Sequence, residues 1–166
     1  MSTMQPLRDE HEELLPHIEA IRTVADGVGS VSLQELRPQI ADVSEFLRDH
    51  LIPHAKAEEA VLYPEVERAM AAPRATAPMA RDHVEVAALT AELGEIEARI
   101  DGEDGSNTML IDARRVLYGL YALVKLHFTE EEEIYVPILE DALDDQHARA
   151  MFDRMEAAAA AARGST

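Results

Sequence analysis

The chain contains no cysteine. That removes disulfides, zinc–thiolate sites, iron–sulfur clusters and thiol nucleophiles together, and leaves only nitrogen and oxygen side chains to hold any metal. Positive charge is scarce as well: 15 Lys and Arg face 33 Asp and Glu over 166 residues, a formal net charge of -18. Such a surface repels phosphate backbones and anionic lipid headgroups, and no basic patch offsets it, so neither a nucleic-acid nor a membrane partner is expected. Long apolar runs are missing too. The longest strongly apolar stretch, 116–124 between Arg115 and Lys125, falls far short of the ~20 residues that span a bilayer. The opening MSTMQPLRDEHEE has neither a basic n-region nor an apolar h-region, and a soluble cytoplasmic protein is expected. A chain of this length buries a core without staples, so the expectation is one domain over 1–166.

Glycine is sparse and gathers mostly in DGVGS (Asp26 to Ser30) and DGEDGSN (Asp101 to Asn107), which read as connections. Strand-like alternation is absent. Apolar residues instead recur at spacings of three and four, the pattern of amphipathic helices. The first helix follows Met4, Leu7, Leu14, Ile18 and Ile21, to about Ala25. The second opens on Ser32 and Glu35, spaced as a capping box, and follows Leu36, Ile40, Val43, Leu47, Val61 and Leu62. Its prolines, Pro38, Pro53 and Pro64, predict kinks or breaks. After APRATAP the third follows Met79, Val86, Leu93, Ile96 and Ile100. The fourth begins after Ser106 or Thr108, follows Val116, Leu120, Leu123, Ile134 and Ile138, and ends at or just past Pro137. An alanine-rich segment, 144–163, is expected to pack outside or fray. The fold class expected is all-α: an antiparallel up-down-up-down four-helix bundle over about 4–140 with an additional C-terminal helix.

Histidines and glutamates occupy the positions where each apolar stripe should continue. These are His11 in the first helix, His54 and Glu58 in the second, His83 in the third, and His127 and Glu131 in the fourth. Residues four apart lie about 40° around an α-helix and roughly 6 Å along it, so each HxxxE pair can aim at one shared volume. Glu59 and Glu132 lie about 100° further round. The register therefore selects Glu58 over Glu59, and Glu131 over Glu130, Glu132 and Glu133, which are left to a solvated face. Burying uncompensated imidazoles and carboxylates costs several kcal/mol each, so this inward set requires partners. A metal cluster supplies them.

The pattern repeats. HAKAEE from His54 precedes Pro64 as HFTEEE from His127 precedes Pro137, while His11 leads His54 by 43 residues and His83 leads His127 by 44. Two copies of one helical hairpin facing across a pseudo-two-fold axis bring two equivalent ligand sets together, which predicts two metal ions.

The order H, HxxxE, H, HxxxE over residues 11–131 resembles the hemerythrin-like family, the HHE cation-binding domains. The resemblance implies a di-iron centre inside the bundle, with His11 and His54 on one iron, His83 and His127 on the other, and Glu58 and Glu131 bridging the pair. It also implies a small ligand, oxygen, peroxide or nitric oxide, in oxygen or iron handling or in oxidative or nitrosative stress. Sulfur-free nitrogen and oxygen ligands suit iron or manganese on chemical grounds as well, with zinc left open. Two departures from the oxygen-carrying members matter. Ala87 stands where those carry a second histidine in the third helix, and HxxxE replaces HxxxxD in the fourth. Four of six octahedral positions per iron are then filled, leaving a bridging oxo or hydroxo position and an open one on each metal. Such openness favours redox chemistry on oxygen or peroxide over simple carriage.

His50, one turn before His54, and Tyr135, one turn after Glu131, are candidates to fill that open position as ligands or to line it. Tyr63 and Tyr135 flank the site, where a phenol can hydrogen-bond a carboxylate, although packing is the default role. His17 and His147 are expected at the surface, and Met4, Met79, Met109, Met151 and Met155 in the core. Two other classes compete with this reading: a ferritin-like di-iron oxidase, which needs ExxH pairs and additional glutamates, and a metal-free acidic helical adaptor.

Overall fold

The computed structural model describes residues 2–164. Helix α1 covers Gln5–Gly27, α2 covers 33–70, α3 covers Ala77–Asp101, α4 covers 107–142 and α5 covers Asp145–Arg163. No strand occurs among the described residues. Each start carries its own signal. Ser32 accepts the Glu35 amide while the Glu35 carboxylate accepts the Ser32 amide, the capping box expected for α2. Ser106 caps α4 through the Met109 amide, and Asp144 caps α5 through the His147 amide. Gly29, at φ 80° in the left-handed region, turns the chain between α1 and α2.

Around the bundle, α1 packs on α2 and α4, and α3 packs on α2 and α4. Consecutive helices are therefore neighbours and the last closes on the first, the up-down-up-down arrangement. Two apolar clusters fill it. The larger runs from Leu14 and Phe46 at one edge to Ile100 and Met109 at the other. The smaller holds Met4, Leu7, Val61, Tyr63, Val66, Met79, Tyr135 and Leu139. Helix α5 belongs to that second cluster through Met151 and Met155, both buried. It is an integral wall of this end of the bundle, because its apolar face finds the matching apolar face that α2 leaves uncovered.

The prolines bend the expectation rather than the helices. Pro38 lies inside a regular α-helical stretch, and neither Pro53 nor Pro64 breaks α2. Instead, α2 widens into π-helical turns over Leu47–Leu51 and Glu58–Leu62, and α4 does so over Glu131–Tyr135. Each turn closes with a hydrogen bond from the residue just before a proline to a carbonyl five residues back: Ile52 to Leu47, Tyr63 to Glu58, and Val136 to Glu131. A proline ring in a regular helix collides with the carbonyl four residues earlier and donates no hydrogen bond. One extra residue in the preceding turn relieves that collision while the helix continues. The cost is register. Beyond each π turn, the side chain five residues on from a reference position takes the place that the fourth holds in a regular helix.

Candidate metal centre

Between the two apolar clusters lies one polar layer. His11, Glu58 and Glu131 are fully buried, and His54 and His127 are each 4% exposed. The His83 side chain is also largely buried. All six residues singled out in the sequence meet here: α1 supplies His11, α2 His54 and Glu58, α3 His83, and α4 His127 and Glu131.

The two carboxylates each span the layer. Glu58 places Oε1 2.8 Å from His54 Nε2 and 3.7 Å from His11 Nε2, and Oε2 3.3 Å from His83 Nε2. Glu131 places Oε2 3.5 Å from His11 Nε2 and Oε1 3.3 Å from His127 Nε2. Across the layer, His83 Nε2 and His127 Nε2 lie 3.0 Å apart. Two groups of potential ligand atoms result, each held within 4.8 Å: His11, His54, Glu58 and Glu131, and Glu58, His83 and His127. His11 Nε2, His54 Nε2, both Glu58 oxygens and Glu131 Oε2 are buried without a hydrogen-bond partner. Buried polar atoms are otherwise almost always satisfied, so this convergence of unpaired lone pairs fits a cation between them.

Outside this layer a second ring of carboxylates grips the histidines from behind. His11 Nδ1 faces Glu132 Oε1 at 3.1 Å, His54 Nδ1 faces Glu10 at 3.0 Å, His83 Nδ1 faces Glu59 at 2.8 Å, and His127 Nδ1 faces Asp82 at 3.3 Å. A carboxylate only accepts, so each contact favours the proton on Nδ1 and leaves Nε2 as a lone-pair donor toward the centre. The arrangement obeys the internal two-fold. Glu10 and Asp82 immediately precede His11 and His83, while Glu59 and Glu132 immediately follow Glu58 and Glu131. These four acids are what the sequence reasoning missed. Helical register passes over Glu59 and leaves Glu132 to a solvated face because both lie off the core stripe, yet a residue at the edge of the stripe reaches the outer nitrogen of an imidazole on the neighbouring helix. The acid beside each ligand, repeated in both halves, was the available signal.

The two sides of the layer differ. On the side of the smaller cluster, Tyr63 donates its hydroxyl to Glu131 Oε1 at 2.8 Å and lies 3.2 Å from both His83 Nε2 and His127 Nε2. Tyr63 is five residues beyond Glu58, and the π turn between them brings it there. The equivalent position after Glu131 is Val136. Of the two tyrosines expected to flank the site, Tyr63 makes the carboxylate hydrogen bond, while Tyr135, one regular turn after Glu131, packs its ring edge-on against Tyr63 at 6.1 Å. The same effect displaces His50: the π turn over Leu47–Leu51 swings it out to solvent, where it stacks on Phe46. His17 and His147 are exposed, as expected. On the side of the larger cluster, Phe128 stacks on His11 at 4.2 Å. There Leu51, Ala55, Val86, Val124 and Phe128 bound a cavity of about 10 Å³ against His54, Glu58, His83 and His127. That is space for roughly one water-sized molecule.

Charge is distributed unevenly within the layer. Burial opposes ionisation of Glu58, but the positive charge of His54, with the His11 and His83 imidazoles close by, holds its carboxyl well below the usual range. Burial and the nearby Glu58 charge push Glu131 upward. Burial works against protonated His54, yet Glu58 and Glu10 hold it well above the ordinary imidazole value. His127 is likewise held at about 9 by Glu131 and Glu58, against the pull of burial. Burial and the two glutamates keep the Tyr63 phenol protonated far into the alkaline range. In the absence of cations, protons thus do the work of charge compensation, and a bound cation would displace them.

No match occurs among curated proteins or solved structures. No helix of the described residues is long and apolar enough to cross a membrane. The family model of the hemerythrin HHE cation binding domain matches residues 3–139 and, overlapping, 75–165. The second match begins at the second helical hairpin, in keeping with the repeated H and HxxxE. On that match, supported by the buried histidine and glutamate layer, the chain belongs to the hemerythrin HHE cation-binding family.

Proposed function

We propose that the polar layer holds two iron ions and that the protein binds oxygen, peroxide or nitric oxide there, in oxygen or iron handling or in oxidative or nitrosative stress. The observation that carries this reading is the convergence of inward Nε2 atoms on two carboxylates whose oxygens face both sides of the layer. In this assignment His11 and His54 would hold one ion and His83 and His127 the other, with Glu58 and Glu131 as the carboxylates that both ions would share. Nitrogen and oxygen donors without sulfur suit iron. A di-iron pair supplies electrons and open coordination positions for a small ligand. The chain's own residues set the conditions. The outer carboxylates fix the imidazoles with Nε2 inward, Tyr63 holds Glu131 by its hydroxyl, and the apolar wall of Leu51, Val86, Val124 and Phe128 limits the site to a ligand of a few atoms and excludes bulk water.

The HxxxE register and four histidines favour this reading over a ferritin-like oxidase, which uses ExxH pairs and more carboxylates. Metal analysis of protein from iron-supplemented cells tests it. About two irons per chain are expected, and their loss in the Glu58→Ala and His127→Ala variants. Protein that carries no metal after gentle purification, and takes up none anaerobically, would return the reading to a metal-free adaptor.

A further inference from the structure

Helix α5 walls off more than an apolar cluster. Between it and α1 opens a cavity of about 270 Å³ lined by Glu10, His54, Phe152, Met155, Glu156 and Ala159, among others. At its base His54 is 4% exposed, and neither ring nitrogen makes a hydrogen bond of good geometry. Its Nδ1 lies 3.0 Å from Glu10 on the cavity side, while Nε2 lies 2.8 Å from Glu58 in the buried layer. One imidazole thus stands between the cavity and the centre. Asp153 and Arg163 complete the wall, so three carboxylates share it with one guanidinium. A concave, low-dielectric wall with net negative charge concentrates cations and repels anions.

We propose that this cavity is the entry vestibule for divalent metal ions. Asp153 and Glu156, both exposed, make the first capture. Glu10, 47% exposed and in contact with His54, relays the ion to the passage beside the His54 ring, which meets Glu10 through Nδ1 and the Glu58 carboxylate through Nε2. The proposal rests on the reading that the buried layer holds metal, and it adds how metal arrives. The outer carboxylate facing His127, Asp82, occupies the equivalent place in the other half, but α5 packs on α2 rather than there. The C-terminal helix therefore makes one end of a near-symmetric site the point of entry.

The test is anaerobic stopped-flow uptake of Co(II) or Fe(II) by the metal-free full-length chain. Ala159→Trp fills the vestibule, and Ala150→Trp fills a separate surface cavity bounded by Glu65, Arg68 and His147. Ala159→Trp is expected to slow uptake by about tenfold or more while final metal content stays that of the wild type, and Ala150→Trp to change neither. The exposed pair Asp153→Asn and Glu156→Gln leaves the fold intact and should slow uptake several-fold at low salt, with the difference vanishing at high ionic strength. Wild-type uptake rates in Ala159→Trp, or in the charge variants at low salt, overturn the proposal. So does fast loading of Ala159→Trp combined with slowed reaction of the loaded protein with peroxide, which makes the cavity a path for neutral ligands. A wild-type chain that takes up no metal at all refutes the metal reading itself, and that outcome is distinguishable from the others.

Discussion

Glu132 offers the sharpest separation between a solvated acidic run and a working outer shell. Its carboxylate is 40% exposed, yet it sits 3.1 Å from Nδ1 of the fully buried His11. Glu133, the next residue, is exposed. Substituting Glu132 by Ala frees the His11 ring to rotate and to take the wrong tautomer, with Nε2 protonated and useless as a ligand. Loss of such an outer partner lowers metal affinity by roughly 10–100-fold, equivalent to about 1.4–2.8 kcal/mol. Glu132→Gln keeps an acceptor oxygen but not the charge, and should fall between Ala and wild type. Competition against a chromophoric chelator measures the affinity, and nitrogen NMR of the metal-free protein reports the His11 tautomer independently. Glu131→Ala, which removes a bridging carboxylate, should shed half or more of the metal, whereas Glu133→Ala should stay within about twofold of wild type. Equal affinities for the Glu132→Ala and Glu133→Ala variants, with an unchanged His11 tautomer, would refute the reasoning.

Tyr63→Phe deletes the donor that satisfies Glu131 in a buried setting, which costs about 1–3 kcal/mol. At this chain length that lowers the melting temperature by roughly 3–9 °C, and an unchanged melt would contradict it. His127, raised from the ordinary imidazole value to about 9 mainly by Glu131 once burial is overcome, stabilises the metal-free fold fully below about pH 6.5 and loses that contribution as pH rises through about 9, by at most about 3 kcal/mol. The raised His54 acts in the same direction. Urea midpoints of the metal-free chain should therefore fall between pH 6 and 9.5, and a rise across that interval would count against the protonated layer. Bound metal should raise the melting temperature, with about 2.7 kcal/mol gained at a free-ion concentration near a hundred times Kd. Coincident melts with and without chelator would argue against a central site.

The sequence by itself determined the helices, their order and the six inward residues. An amphipathic stripe interrupted by His or Glu at helical spacing has only one economical explanation, and the repeat of H and HxxxE multiplied that signal. Local chemistry also determined the caps, since Ser32 with Glu35 satisfies its own amides whatever the rest of the chain does. Tertiary structure decided what regular periodicity could not. A 3.6-residue turn aims Tyr135 and His50 at the polar layer, but the π turns before Pro53, Pro64 and Pro137 shift the register, so that of the two flanking tyrosines Tyr63 is the one whose hydroxyl reaches the layer, and His50 faces solvent. The outer carboxylates were equally invisible along one helix, because Glu10, Glu59, Asp82 and Glu132 each act on a histidine of a different helix. Which neighbour they meet depends on how four rods are packed. The place of α5 was likewise set by packing, since an alanine-rich amphipathic helix has a buried face only where another helix leaves an apolar surface open to receive Met151 and Met155.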